Sequence, residues 1–166
     1  MSWEPTDRIG GLTDAEMRTF LAAPWNARIA TLTPDGWPHL VPVWYEYDPE
    51  PRVFLVVGRE RAEWIGHIRL NPRVAFHVAD DVHAEHTRVL IQARAEIVEG
   101  PVPPSASPML GELTRRLSLR YLGPQGPEYA QRTFDRPRVV VRLVPTRWQT
   151  WTGREWHARY RSVSGS

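Results

Sequence analysis

ARIATLTPDGWPHLVPVWYEYD, residues 27–48, followed by VFLVVGR at 53–59, decides the fold class. ARIATLT at 27–33 alternates and is rich in β-branched residues, which reads as a strand. Pro34-Asp35-Gly36 is a strong turn signal. PHLVPVWYEYD at 38–48 resumes extended structure, Asp48-Pro49 makes another turn, and VFLVVG at 53–58 is a third strand. This is a β-meander with tight connections.

Working outward, RVAFHVA at 73–79 and RVLIQARAEIVE at 88–99 read as two further strands joined by the polar loop DDVHAEHT. In the second, Val89, Ile91, Ala93, Ala95 and Ile97 alternate with Leu90, Gln92, Arg94 and Glu96, the period of a half-buried strand. RVVVRLVP at 138–145 is the sixth, and an aromatic tail, RWQTWTGREWHARYR, follows it. Helices are short. Thr13 or Asp14 caps one, with Glu16 placed for a capping box before MRTFLAA, and Pro24 ends it. Residues 61–70 suit a second, closed by Asn71-Pro72 because proline disfavours helix in the residue before it. Past the proline-rich PVPPSASP, residues 109–122 place Met109, Leu113, Leu117 and Tyr121 on one stripe. Another short helix is expected around Glu128–Phe134. Six short strands with few helices predict a mainly β (α+β) chain, a small antiparallel barrel. Its length of 166 residues predicts one domain over 1–166, with a loop and helical insertion at 101–134 before the last strand.

Composition removes whole classes of chemistry. There is no cysteine, hence no disulfide, thiolate nucleophile or thiolate-held metal. All 21 basic residues are arginine, so Schiff-base chemistry and lysine acid or base are excluded. Anion sites must come from Arg, His or backbone N–H, and the arginine fork suits carboxylate and phosphate. A net charge of +2, with the basic residues scattered among 19 acids, argues against a nucleic-acid partner. The longest apolar runs are strand-sized, well short of the ~20 residues of a membrane span. The N-terminal MSWEPTDRIGG lacks a basic region leading into an apolar stretch, so a cytoplasmic location is expected. Eight tryptophans serve either as core and interface filler or as flat surfaces for a ring system.

His83-x-x-His86 beside Asp80, Asp81 and Glu85 invites a metal reading, but a solvated polar loop is the commoner meaning, and no metal is expected. No nucleophile elbow, Walker loop or Rossmann glycine pattern occurs. Ser2 is the only serine before residue 105, against a serine hydrolase with its nucleophile on the early strands. His77 reads as a packed core residue rather than a base.

The order of these segments resembles the pyridoxamine 5′-phosphate oxidase-like superfamily, over roughly residues 12–160. That resemblance implies a homodimer of split β-barrels with two equivalent cofactor sites between protomers, and a small organic substrate. It implies FMN, or alternatively the deazaflavin coenzyme F-420, with the ring against the backbone of Leu40, Val41, Pro42, Val43 and Trp44. The phosphate would lie near Gly58, Arg59, Arg61 and Trp64, with His67 one turn on. The family's usual clamp is replaced: Ala62, Glu63 and Trp64 stand at its serine, arginine and lysine positions, and Trp44 at a basic strand position. Arg59, Arg61, His39 and His67 are available to replace it. The competing reading has Arg59 and Arg61 solvating a turn and Trp64 packing in the core. Arg88 aligns with a flavin-contacting strand residue, or else makes a cross-strand ion pair. The tail resembles the oxidase branch through Trp151 and Gly153, with Arg161 near the cofactor and His157 and Arg159 toward the substrate, Arg and His being exchanged. The resemblance thus implies a flavin- or deazaflavin-dependent oxidoreductase. The alternative is a non-catalytic cofactor- or haem-binding protein on the same fold.

Overall fold

A computed structural model describes residues 3–5 and 8–155. Strands β1 (Ala27–Leu32), β2 (Pro38–Val43), β3 (Glu46–Asp48), β4 (Val53–Arg59), β5 (Arg73–Ala79), β6 (Arg88–Val102) and β7 (Arg138–Trp151) form one antiparallel sheet. Its order is β2-β1-β5-β6-β7-β4-β3. Helices α1 (Asp14–Ala22), α2 (Glu63–Leu70), α3 (Pro108–Leu122) and α4 (Gly126–Gln131) lie around it.

The expected strand over 38–48 is two strands, so the sheet has seven. β2 and β3 sit at opposite ends of the strand order, yet only Trp44 and Tyr45 separate them. Three Cα–Cα steps span at most about 11 Å. The sheet must therefore curl until its two edges nearly meet, and this break is the split in the barrel. Tyr45 pins it. Its ring is fully buried, its hydroxyl donates to the Leu21 carbonyl at 3.2 Å, and its N–H donates to the Tyr121 hydroxyl at 3.2 Å.

The barrel interior is filled by alternate strand residues, among them Ile29, Phe54, Val56, Phe76, Ile91 and Leu143, with Phe20 and Leu21 from α1 closing one side. Phe54 and Phe76 approach with ring centroids 5.0 Å apart, within the range where aromatic pairs attract. α1 is held by the anticipated capping box: Thr13 Oγ1 accepts from the Glu16 N–H, and Glu16 accepts from the Thr13 N–H. His77, expected in the core, is half-buried on the opposite sheet face from Phe76, because the pleat turns alternate residues outward.

β6 and β7 run further than their sequence alternation. β6 continues past residue 99 through Gly100 and Pro101, where register shifts insert bulges. Gly100 has φ +87°, and a Cβ there would lie 2.3 Å from the Arg138 carbonyl, so only glycine lets β6 pass this close to β7. β7 continues through Pro145 to Trp151; Pro145 falls beside the register shift at Gln92/Ala93, where a missing N–H is tolerated.

The insertion packs α3 on the outside of the barrel, where Leu110, Leu113 and Leu117 cover Val140. The stripe expected on α3 is shifted: Leu110 is fully buried, whereas Met109 is exposed. Ser107 caps α3 by accepting from the Leu110 N–H. The helix expected at Glu128–Phe134 is α4, earlier and shorter. At its first residue, Gly126, a Cβ would strike the Ser118 carbonyl at 2.0 Å, so only glycine lets α4 start this close to α3.

Candidate functional site

The insertion leaves a cleft of about 610 Å³ against the barrel. One wall is barrel: Pro42 and Val43 of β2, Trp44 after it, Val57, Gly58 and Arg59 of β4, and Trp64 of α2. The other is insertion: Thr114, Leu117 and Ser118 of α3, then Tyr129, Arg132 and Thr133 at α4, with Arg138 of β7 at the end.

Two tryptophans make the barrel wall flat and apolar. Trp44 stacks on Tyr121 of α3, with centroids 5.2 Å apart and planes 4° from parallel. Tyr121 is itself anchored, donating from its hydroxyl to the Trp25 carbonyl at 3.0 Å, and burial raises the pKa of that phenol. Trp64 lies over Gly58: a Cβ at Gly58 would meet Ile65 Cδ1 at 2.5 Å and Trp64 Cζ2 at 2.7 Å. Trp64 is 6% exposed, so it packs in the core and lines the cleft at once.

The polar end of the cleft is arginine. Arg59 and Arg138 are partners across the β4–β7 ladder. Both also line an adjoining hollow of about 470 Å³, which Arg61, Arg136, Glu60 and Pro137 complete. Arg138 donates to the Thr133 carbonyl and hydroxyl, while its Nε is buried with no partner. Burial first, and then the charge of Arg59, lower the Arg138 pKa. Glu60 is paired with Arg69 at 3.3 Å, and Glu63 faces His39 at 3.8 Å. Among the described residues, no carboxylate forms a salt bridge with Arg59, Arg61, Arg136 or Arg138. Thr114 is likewise buried with an unpartnered hydroxyl. Unpaired donors beside flat apolar walls are the inventory for a ligand with an aromatic ring and an anionic group.

Of the residues singled out in the sequence, Pro42, Val43, Trp44, Gly58, Arg59 and Trp64 come together here, with Arg61 next door. Others do not. His39 and His67 pack edge to face, 5.0 Å between centroids, and the largely buried His67 places Nδ1 3.0 Å from Thr31 Oγ1. They are occupied with one another away from the cleft. Val41 packs against the barrel core and Leu40 faces solvent, because alternation along β2 divides its residues between two faces. Arg88 is opposite Trp151 at the far end of the β6–β7 pair from Arg138, with its guanidinium 5.8 Å from the Trp151 ring. His157, Arg159 and Arg161 lie outside the described residues. The acids of the 80–86 loop are engaged elsewhere: Asp80 accepts from His83 Nδ1 at 2.6 Å within the loop, and Glu85 pairs with Arg154 beyond β7. Among the described residues no group of three or more metal-ligating side chains is found.

Sequence reasoning missed the insertion wall and Arg138. One signal was available: Thr114 and Ser118 are polar residues four apart on the face of α3 that otherwise carries Leu110, Leu113 and Leu117.

An antiparallel split barrel with a tryptophan-walled, arginine-ended cleft between β2 and β4 on one side and α3 and α4 on the other places the chain in the split β-barrel class. This chain belongs to the pyridoxamine 5′-phosphate oxidase family, whose sequence profile matches residues 13–152. It is 37% identical over 84 residues to a 5a,11a-dehydrotetracycline/5a,11a-dehydrooxytetracycline reductase of Streptomyces rimosus, covering 49% of this chain. The match spans about half, 56%, of that relative's length. Among solved structures, a conserved hypothetical protein of Mycobacterium tuberculosis superposes with a TM-score of 0.66 at 28% identity, over 99% of both chains. An F-420 reductase superposes with a TM-score of 0.60 at 26% identity, over 80% of this chain and 94% of the other.

Proposed function

We propose that this chain is an oxidoreductase that holds a flavin-type cofactor in the tryptophan-walled cleft and reduces a small organic substrate. The observation that carries this reading is the cleft itself: Trp44 and Trp64 beside backbone that glycine keeps low, ending at Arg59 and Arg138, which among the described residues have no carboxylate partner. Between the two cofactors, the likeness to an F-420 reductase supports the deazaflavin F-420 over FMN. The reductase activity of the Streptomyces relative supports a small-molecule substrate.

When bound, such a cofactor supplies the hydride, and the protein supplies position, electrostatics and exclusion of water. Trp44, immobilised by Tyr121, and Trp64, immobilised by Ile65 and Gly58, offer rigid apolar surfaces to a ring. Arg59 offers a forked donor at the cleft's polar end. No His, Asp or Glu lines the cleft among the described residues, which suits a site whose redox chemistry belongs to the cofactor. The family resemblance supports a homodimer, in which Arg88 and Trp151 of a second copy would complete the ring end of the site.

Fluorescence titration with F-420 and with FMN tests this reading. Saturable binding of F-420 at one per chain, tighter than FMN, is the expected result. If neither ligand binds, the reading is wrong. A second reading, a cofactor carrier without turnover, is favoured by Ala62, Glu63 and Trp64 standing at the usual clamp positions. Reduced F-420 that binds but is never oxidised by any acceptor would select it.

A further inference from the structure

The last turn of α1 holds no basic residue, and its C-cap, Ala23, is extended rather than left-handed. A helix end of this kind leaves carbonyls and partial negative charge for some other group to meet. The insertion meets them. Arg120 of α3, 99 residues from Leu21 in the chain, donates from Nη2 to the Leu21 carbonyl at 2.8 Å. The same nitrogen donates to the Ala23 carbonyl at 2.6 Å. Its guanidinium lies 5.0 Å from the centre of the Tyr45 ring and 5.6 Å from that of Tyr121, so the charge also rests against two aromatic rings. The next residue, Tyr121, points about 100° further round the helix. Its hydroxyl donates to the Trp25 carbonyl and accepts from the Tyr45 N–H, and its ring lies flat on Trp44.

Two adjacent anchors that pull in different directions fix both the place of α3 on the barrel and its roll about its own axis. One anchor alone would leave the helix free to turn. α3 also gives Leu117 and Ser118 to the cleft, and these stand four and three positions before Tyr121, hence on its side of the helix. The roll of α3 therefore sets the tilt of Trp44 and the gap between the two cleft walls together. Arg120 does not line the cleft itself. We infer that Arg120 is a positioning residue for the ligand site: by tying α3 to the end of α1 it holds the Tyr121–Trp44 stack, and with it the width of the cleft. The inference deepens the proposed function and rests on it for the identity of the ligand, but not for the stack.

Near-UV circular dichroism of the full chain reads the stack without ligand, because aromatic signals there depend on fixed packing. The difference between wild type and Trp44→Leu defines the Trp44 contribution. Arg120→Met, with its far-UV spectrum unchanged, is expected to lose most of that contribution. It is also expected to weaken binding of F-420 or FMN, whichever the chain takes, about tenfold. In a Trp44→Leu background the same change should cost no further affinity, since residues acting through one another are not additive. Should Arg120→Met fail to fold, Tyr121→Phe, which keeps the ring and loses its hydroxyl anchors, carries the test with the same readouts. A variant that only melts earlier, with Trp44 signal and affinity intact, overturns the inference, because Arg120 then merely staples α3 to α1. An equal loss of affinity with and without Trp44 overturns it too. A Trp44 signal that depends on Arg120 in a chain taking neither cofactor would sink the proposed function and leave the positioning role standing.

Discussion

His77 occupies a half-buried place between Arg28 on β1 and Leu90 on β6, with Arg88 nearby. Burial chiefly, then the positive charge of Arg28 and Arg88, depress its pKa below the ordinary value of about 6.5, against the opposing pull of Asp81. The sign follows from proton counting. As pH falls through about 6.5 the unfolded chain takes up a proton that the native state still refuses, so native stability declines until the depressed native pKa is passed. His77→Gln should therefore shrink the difference between urea midpoints at pH 7.5 and pH 5.5. An undiminished difference would show that His77 is uncoupled from stability. This residue was readable as a strand member from sequence, but its facing depended on the register of β1, β5 and β6.

At the scale of elements, the decisive contact is α2 against β4. Gly58 lets the helix lie close enough for Trp64 to reach both the core and the cleft. Gly58→Ala puts a methyl against the fully buried Ile65 and the ring of Trp64, and overpacking of this kind destabilises by about 1–3 kcal/mol. The displaced ring moves the cleft wall, so cofactor affinity should drop along with the urea midpoint. A variant with both quantities unchanged would mean that Trp64 does not shape the site. The glycine was visible at the end of VFLVVG, as was the start of α2. That the two meet face to face was not, because chain order says nothing about how far a helix folds back on its own strand.

For the whole molecule, the exposed edge is informative. β2 ends the sheet and turns Pro38, Leu40 and Pro42 outward, with Leu40 64% and Trp37 71% exposed. Prolines on an edge strand cannot donate to a neighbouring strand, so a second copy would pack on this apolar face rather than extend the ladder. Under the proposed homodimer, sedimentation should return twice the mass of one chain, and Leu40→Arg should return one. A wild-type chain that sediments as a monomer at all concentrations would refute the dimer, and with it the role suggested for Arg88 and Trp151 of a second copy.

Alternation, turn residues and caps are local, acting over two to four positions, so the strand segments, the capping box of α1 and the tight turns at 34–36 and 49–52 followed from sequence by itself. The expected meander did not, since β2 and β3 lie at opposite edges of the sheet. The ordered run of those segments also carried the family. The tertiary structure alone decided the rest. It broke the expected second strand at Trp44–Tyr45, because closing the barrel requires the chain to cross from one sheet edge to the other there. It gave the cleft its second wall from α3 and α4, and it set Arg138 opposite Arg59. Residues so far apart in the chain become neighbours only through ladder register, which depends on the packing of the whole barrel.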